Sequence, residues 1–261
     1  VASAAMTAHC FSKFRFPIFR RHIWIFKLAK PKNAPLDFSM FSDADVLNLC
    51  LQRGTRAGQF MPPKTRRLTD HDGKVKEVIA EKRDEIFEIV FEEITEVFET
   101  FDKTMAQFKP SRVADIGSGY AFVDLLIYRK FKCDLLLIDI EETDSIHFGY
   151  KDNGAGYSDL NTTREFLVAN GVPDKKITTV NPKFQDLSEA GDVDVALSLI
   201  SCGFHYPAST YEAFFKDQVK KAIMLDLRRG RTGLEELLPF GTLELVAKGS
   251  HHNLVLCKKH A

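Results

Sequence analysis

From residue 73 to 108, apolar residues recur every three to four positions: Val78, Ile79, Ile86, Ile89, Val90, Ile94, Val97, Phe98, Phe101 and Met105. Glu81, Asp84, Glu85, Glu88, Glu92, Glu93, Glu96 and Glu99 fill the other side. This spacing predicts a long amphipathic helix, unbroken or broken once, with its apolar stripe on a core. Pro110 ends it. After Pro110 the pattern becomes short apolar runs alternating with helical stretches. Strands are expected near 112–116, 134–139, 176–180, 193–200 and 221–227, and helices near 120–131, 159–171 and 208–219. The run Leu135-Leu-Leu-Ile138 shows no alternation, as expected of a strand covered on both faces. Such alternation of elements predicts an α/β fold with a doubly wound, mostly parallel, Rossmann-like sheet over 112–261. Two last strand-like runs, 242–248 and 252–258, are joined by Gly249-Ser250 and predict a C-terminal antiparallel hairpin.

The stretch Arg112-Val-Ala-Asp-Ile-Gly-Ser-Gly-Tyr-Ala-Phe122 reads as a buried strand entering a glycine loop and then a helix. Glycines there let a ligand lie against bare backbone beside a helix N-terminus. About twenty residues on, the second strand ends in Asp139, a carboxylate able to accept hydrogen bonds from a ribose diol. Dinucleotide binding wants G-x-G-x-x-G, but the third glycine position holds Phe122. Asp115 before the loop would repel a pyrophosphate, whereas it suits a cofactor with an amino group and a sulfonium. The residues therefore favour S-adenosylmethionine.

The chain resembles the class I S-adenosylmethionine-dependent methyltransferases over roughly residues 75–261. The resemblance rests on Val113-Ala-Asp-Ile-Gly-Ser-Gly119, on Leu136-Leu-Ile-Asp139, and on the run from Asp194 to His205. The run from Ser198 to Pro207 is also similar to a bacterial small-molecule or sugar O-methyltransferase subgroup. The resemblance implies a seven-stranded sheet and a cofactor site drawn from Asp115, Gly117, Ser118, Gly119, Tyr120, Asp139, Ile140 and Ser201. It adds Phe184, Gln185 and Asp186 after the third strand, where the family places an acid on the adenine amino group.

The loop after the fourth strand should face both the methyl group and its acceptor. His205 there is a candidate general base and Tyr206 a candidate positioning residue, with Cys202 lining the pocket. Some RNA cytosine methyltransferases use a cysteine nucleophile in this loop after a proline, but here Ser201 precedes Cys202. Asn181-Pro-Lys-Phe184 reads as a turn. The segment 143–158 exceeds an ordinary connection and carries Gly149, Gly154 and Gly156. His147, Tyr150 and Tyr157 make it a candidate lid over the cofactor or acceptor. No His, Asp or Glu cluster has metal-ligand spacing, and His251-His252 falls in the hairpin turn.

Charge changes the picture only at the N-terminus. Lys plus Arg and Asp plus Glu each number 36 in 261 residues, so no global charge argues for nucleic acid. Five widely spaced cysteines without C-x-x-C fit a reducing compartment, read as cytoplasmic, and no apolar run is long enough to span a membrane. Residues 1–36 contain no acid and interleave seven Lys and Arg with Phe and Trp. They read as a membrane-surface segment, a nucleic-acid arm, a transit peptide or a packing extension, with Met6 a candidate start. Residues 1–69 are thus expected as an extension and 70–261 as the methyltransferase domain. The extension holds a short helix at 43–51, N-capped by Ser42. It also holds a basic loop at 53–67, with Arg53, Arg56, Lys64, Arg66 and Arg67 suited to an anionic acceptor. The expected activity is methyl transfer to an oxygen, or secondarily a nitrogen, of a small-molecule or sugar-like acceptor. The alternatives are RNA methylation guided by the basic arm and a non-catalytic binding module.

Overall fold

The computed structural model describes residues 35–52, 56–60, 73–141 and 158–260. The expectations for residues 1–34 and for His147, Tyr150 and Tyr157 lie outside the described residues, as do Arg53, Lys64, Arg66 and Arg67. The elements are α1 (Asp43–Gln52), α2 (Gly73–Ala106), β1 (Arg112–Ile116), α3 (Phe122–Phe131), β2 (Asp134–Ile138), α4 (Leu160–Ala169) and β3 (Ile177–Val180). Then follow β4 (Val193–Ser198), α5 (Glu212–Asp217), β5 (Val219–Arg228), α6 (Gly233–Leu237), β6 (Gly241–Lys248) and β7 (His252–Lys259). The strands form one seven-stranded sheet in the order β3-β2-β1-β4-β5-β7-β6. β1 to β5 pair in parallel, while β7 is antiparallel to both β5 and β6. This is a Rossmann-like, mostly parallel sheet with a C-terminal antiparallel hairpin. Strand order reverses between β1 and β4, which places the ligand crevice at their carboxyl ends.

Side-chain alternation along the strands divides the core between two faces. Val113, Leu135, Leu137, Val195, Leu197 and Met224 pack beneath α1 to α4. Ala114, Ile116, Leu136, Ile138, Ile223 and Leu225 pack on the other face against Tyr211, Phe214 and Phe215. The helix expected at 73–108 runs unbroken to Ala106. Its Ile86, Phe87, Val90, Phe101 and Met105 are fully buried, while Glu81, Glu85, Glu88 and Glu92 face solvent.

Residues 36–52 join this core. Phe38 stacks on Phe87 with ring centroids 4.4 Å apart, and Phe41 meets Tyr120 edge-on at 5.2 Å. Ser42 caps α1 as its sequence position indicated. Its Oγ accepts from Asp45 N at 3.3 Å, and Asp45 Oδ2 accepts from Ser42 N at 2.7 Å, a reciprocal capping arrangement. Asp45 Oδ1 also accepts the Tyr120 hydroxyl at 2.9 Å. Asp45→Ala is therefore expected to lower stability by about 1–2 kcal/mol, since it removes a cap and one hydrogen bond to a buried hydroxyl. Urea unfolding at constant m-value checks this.

Some elements differ from expectation. β4 ends at Ser198, two residues early, because Ile200 turns into the left-handed region with φ 54°. The helix expected at 208–219 is a 3-10 turn at Ala208–Tyr211 followed by α5 alone. Pro207 precedes that turn, and β5 already begins at Val219. α6 was not expected. Arg56, read as free for an anionic acceptor, instead pairs with Glu96 on α2 at 2.5 Å.

Candidate cofactor site at the carboxyl edge of the sheet

The glycine loop is shaped by what surrounds it. Gly117 has φ 76°, and its N–H donates to Ile138 O at 2.7 Å. A β-carbon there would sit 2.1 Å from Ser201 Oγ and 2.5 Å from Ser201 Cβ, so glycine lets the loops after β1 and β4 touch. Gly119 has φ 53°, and none of the described residues lies within 4 Å of where its side chain would begin. Gly119 N donates to Asp139 Oδ2 at 3.0 Å, and Gly119 O accepts from Thr163 Oγ1 on α4 at 2.8 Å. Ser198 Oγ donates to Ile116 O at 2.6 Å and accepts from Cys202 N at 2.9 Å, binding the tips of β1 and β4 together. Ala121, just before α3, adopts φ 56° without being glycine, a conformation costing a β-carbon-bearing residue roughly 1–2 kcal/mol.

Beneath the loop lie acids that the protein itself does not satisfy. Asp115, the next-to-last residue of β1, is 2% exposed, and Asp124, in the first turn of α3, is fully buried. Apart from the contact between the two carboxyl groups, Asp115 Oδ1 and Ser118 Oγ are buried with no hydrogen-bond partner among the described residues. The two carboxyl groups approach closely enough to share a hydrogen bond. Burial, then the neighbouring Asp124 charge, raises the Asp115 carboxyl well above its usual range. Burial likewise pushes Asp124 up to about 7. Two adjacent buried carboxylates cannot both ionise cheaply, so the pair retains a proton near neutrality. Because the folded-state values lie above the ordinary 3.8, this pair contributes stability fully below about pH 4 and loses it as pH rises toward 7. Asp124→Asn supplies a permanent donor to Asp115 and removes one ionisation. It is expected to stabilise the fold by about 1–2 kcal/mol at pH 8 and by much less at pH 4. Equal gains at both pH values would contradict the shared-proton arrangement.

Asp139, 8% exposed, sits just past β2. Its Oδ2 holds Gly119 N and its Oδ1 accepts Glu141 N, both at 3.0 Å. Burial raises its carboxyl, and these backbone donors oppose that rise. The Ile140 N–H also donates to this carboxylate, which leaves it acceptor capacity for a ligand hydroxyl. Ile140 is half-buried, and its carbonyl accepts from Asn181 Nδ2 at 3.4 Å. Asn181 and Glu141 are structural members of the site that the sequence did not single out. Asn181 Nδ2 donates to Glu141 Oε2 at 2.6 Å, and Glu141 Oε1 accepts Leu160 N at 3.0 Å. Glu141 thereby ties the loops after β2 and β3 to the start of α4. The only advance signal was Asn181 directly after a strand tip.

The residues expected on the adenine are divided. Phe184 is 83% exposed on the loop after β3, an apolar ring left in solvent. Gln185 Oε1 accepts Asn181 N at 2.8 Å, and Asp186 caps the next turn by accepting Ser188 N at 2.8 Å. That bond lowers the Asp186 carboxyl and commits one oxygen to local structure. Tyr120 needs a correction: it is buried at 4%, with its hydroxyl on Asp45 and its ring on Phe41, so it anchors α1 and does not face the open loop.

After β4, Ile200 at φ 54° is a β-branched residue in a strained conformation. This turn delivers Ser201 to Gly117. Ser201 Oγ lies 3.0 Å from the Tyr206 hydroxyl, and burial holds the Tyr206 phenol far above its usual range. His205 is half-buried beside Phe204, with ring centroids 5.1 Å apart, and its N–H donates to Ser201 O at 2.8 Å. Cys202 is the second correction: it is fully buried among Tyr211, Phe214 and Leu225, and desolvation raises its thiol steeply. It is a core residue, packed in the cluster on that face of the sheet.

No family model matches the chain, and no curated protein matches it by sequence. Among solved structures, it is similar to a ribosomal protein L11 methylase from Lactobacillus delbrueckii subsp. bulgaricus, at 15% identity and TM-score 0.44, over 62% of this chain and 76% of that one. An rRNA methylase from Escherichia coli is similar at 13% identity and TM-score 0.41, over 84% and 78% respectively. The N-terminal domain of EvdMO1 in the presence of SAH and D-fucose is similar at 13% identity and TM-score 0.41, over 65% and 82%. Among the described residues no helix is long and apolar enough to cross a membrane.

Proposed function

We propose that the chain is an S-adenosylmethionine-dependent methyltransferase acting on an oxygen, or secondarily a nitrogen, of a small-molecule acceptor. The observation that carries this reading is the joint between Gly119 and Asp139, a glycine backbone fixed by the acid at the next strand tip. The residues present fit the cofactor. Asp139 keeps acceptor capacity for a ribose hydroxyl, and the buried oxygens of Asp115 and Ser118 lie beside the glycine loop, where they suit an ammonium group. The exposed Phe184 ring offers a face for a purine. When bound, S-adenosylmethionine supplies a methyl group activated by a sulfonium.

The chain's own contribution is to orient, exclude water and move one proton. Ser201 and Tyr206 form a hydrogen-bonded wall against the glycine loop. His205 in the same loop accepts the proton of an acceptor hydroxyl, since imidazole is poised for this near neutral pH. Transfer from a sulfonium neutralises charge, so positioning and desolvation supply much of the rate. Four buried free thiols, Cys50, Cys133, Cys202 and Cys257, suit a reducing, cytoplasmic setting. The test is transfer of isotopically labelled methyl to a panel of hydroxylated and aminated small molecules, with total RNA as a parallel arm. Label in a small hydroxylated acceptor is expected. Label confined to RNA would overturn the acceptor class, and cofactor binding without transfer to any acceptor would favour a non-catalytic module.

A further inference from the structure

At the carboxyl end of β5 and the turn of the β6–β7 hairpin lies an open pocket of about 390 Å³ lined by Arg228, Arg229, Ser250 and His251. None of these lining residues is an acid. The Arg229 guanidinium is fixed from behind by a main-chain carbonyl, and the main chain of both arginines is tied to neighbouring turns. Arg229 N donates to His251 O at 3.0 Å, and Arg229 Nη1 donates to Ser250 O at 3.2 Å. One of the five guanidinium donors thus sets the direction of the fork. The Arg228 guanidinium lies over the Phe204 ring at 5.7 Å, and Arg228 N donates to Gly203 O at 3.1 Å. Gly203 and Phe204 belong to the loop that carries Ser201, His205 and Tyr206, so the pocket adjoins the wall assigned to the acceptor. Gly203 itself has φ 83°, and a β-carbon there would press on Leu227 Cδ2 at 2.7 Å, which keeps the loop against β5.

We propose that this pocket binds the phosphoryl group of a small phosphorylated acceptor. Arg228 and Arg229 bring two positive charges to one pocket beside a serine, which matches a dianion better than a singly charged carboxylate, and the planar fork of Arg229 suits phosphate oxygens. Four residues on two adjacent turns make a pocket and no track, whereas affinity for a nucleic acid backbone is built from many successive phosphate contacts. This inference rests on reading the chain as a methyltransferase, since it names the class of molecule that receives the methyl group.

The test is a ¹H–¹⁵N NMR titration of the full chain with glycerol 3-phosphate at fixed ionic strength, with glycerol as the uncharged control. Saturable shifts are expected at the amides of Arg228, Arg229, Ser250 and His251, with none from glycerol. Arg229→Ala is expected to raise the dissociation constant at least tenfold, and Arg229→Lys, which keeps charge without the fork, to fall between. Calorimetry with S-adenosylmethionine on the same variants should give wild-type affinity, which shows that they remain folded. Non-saturating shifts, an unchanged constant in Arg229→Ala, or binding of a short oligonucleotide but not of glycerol 3-phosphate would overturn the proposal. Phosphate binding with no S-adenosylmethionine binding by the wild type would instead sink the methyltransferase reading and leave an anion site.

Discussion

Gly117→Ala is expected to destabilise the fold by about 2–4 kcal/mol and to weaken cofactor binding at least tenfold. Two effects add. The residue sits at φ 76°, where a β-carbon costs on the order of 1 kcal/mol. That β-carbon would also fall 2.5 Å from Ser201 Cβ. A rotamer change can move Ser201 Oγ, but its Cβ is fixed to the main chain, so the loop after β4 must retreat. Overpacking of this kind costs roughly 1–3 kcal/mol. For a domain of this size the sum corresponds to a melting temperature about 5–10 °C lower. Gly119→Ala is the contrasting variant. Its β-carbon meets none of the described residues, so the expected loss is about 1 kcal/mol of stability, with binding reduced because that space is assigned to the cofactor. Equal thermal shifts for the two variants would contradict this division between a packing glycine and a ligand-facing one.

His205→Ala is expected to lower kcat by about 10²–10⁴-fold on a hydroxyl acceptor while leaving cofactor affinity unchanged, the range for loss of a positioned general base. The residue is half-buried in the loop after β4, and its backbone N–H donates to Ser201 O. Removing it should abolish the acidic limb of the pH–rate profile, which is the signature that distinguishes a lost base from a disturbed loop. An unchanged kcat, or a lower kcat with the same pH profile, would reduce His205 to a lining residue. Tyr206→Phe should have a smaller effect, because it removes only the hydrogen bond to Ser201.

What could be read from the sequence follows from how local each cause is. β1 and β2 were legible because both faces are covered, so Leu135 to Ile138 are uniformly apolar and fully buried. The meeting of the glycine loop with Asp139 was legible because residues at the tips of successive parallel strands share one edge of the sheet. Ala121 was not: a left-handed residue carrying a β-carbon shows nothing in its identity. Tyr120 was misassigned because its partner, Asp45, lies 75 residues earlier on a helix whose docking no local pattern reveals. Cys202 was misassigned because whether a loop side chain packs into the core depends on tertiary contacts. Asp124 escaped notice as one polar residue inside the apolar run Phe122–Leu126, yet it is the most deeply buried acid beside the glycine loop. The pocket at Arg228 and Arg229 needed the hairpin turn to be placed against β5, a contact between segments about twenty residues apart.

The central claim is that the loop at residues 115–121, latched by Asp139, holds S-adenosylmethionine. Calorimetric titration of the wild type and of Asp139→Ala with S-adenosylmethionine and its demethylated product tests it most directly. Saturable binding of both ligands by the wild type is expected, with affinity at least tenfold weaker in Asp139→Ala. Removing that side chain takes away the latch on Gly119 and the acceptor for the ribose hydroxyls together. A wild type that binds neither ligand, or an Asp139→Ala variant that binds both as tightly as the wild type, would contradict it.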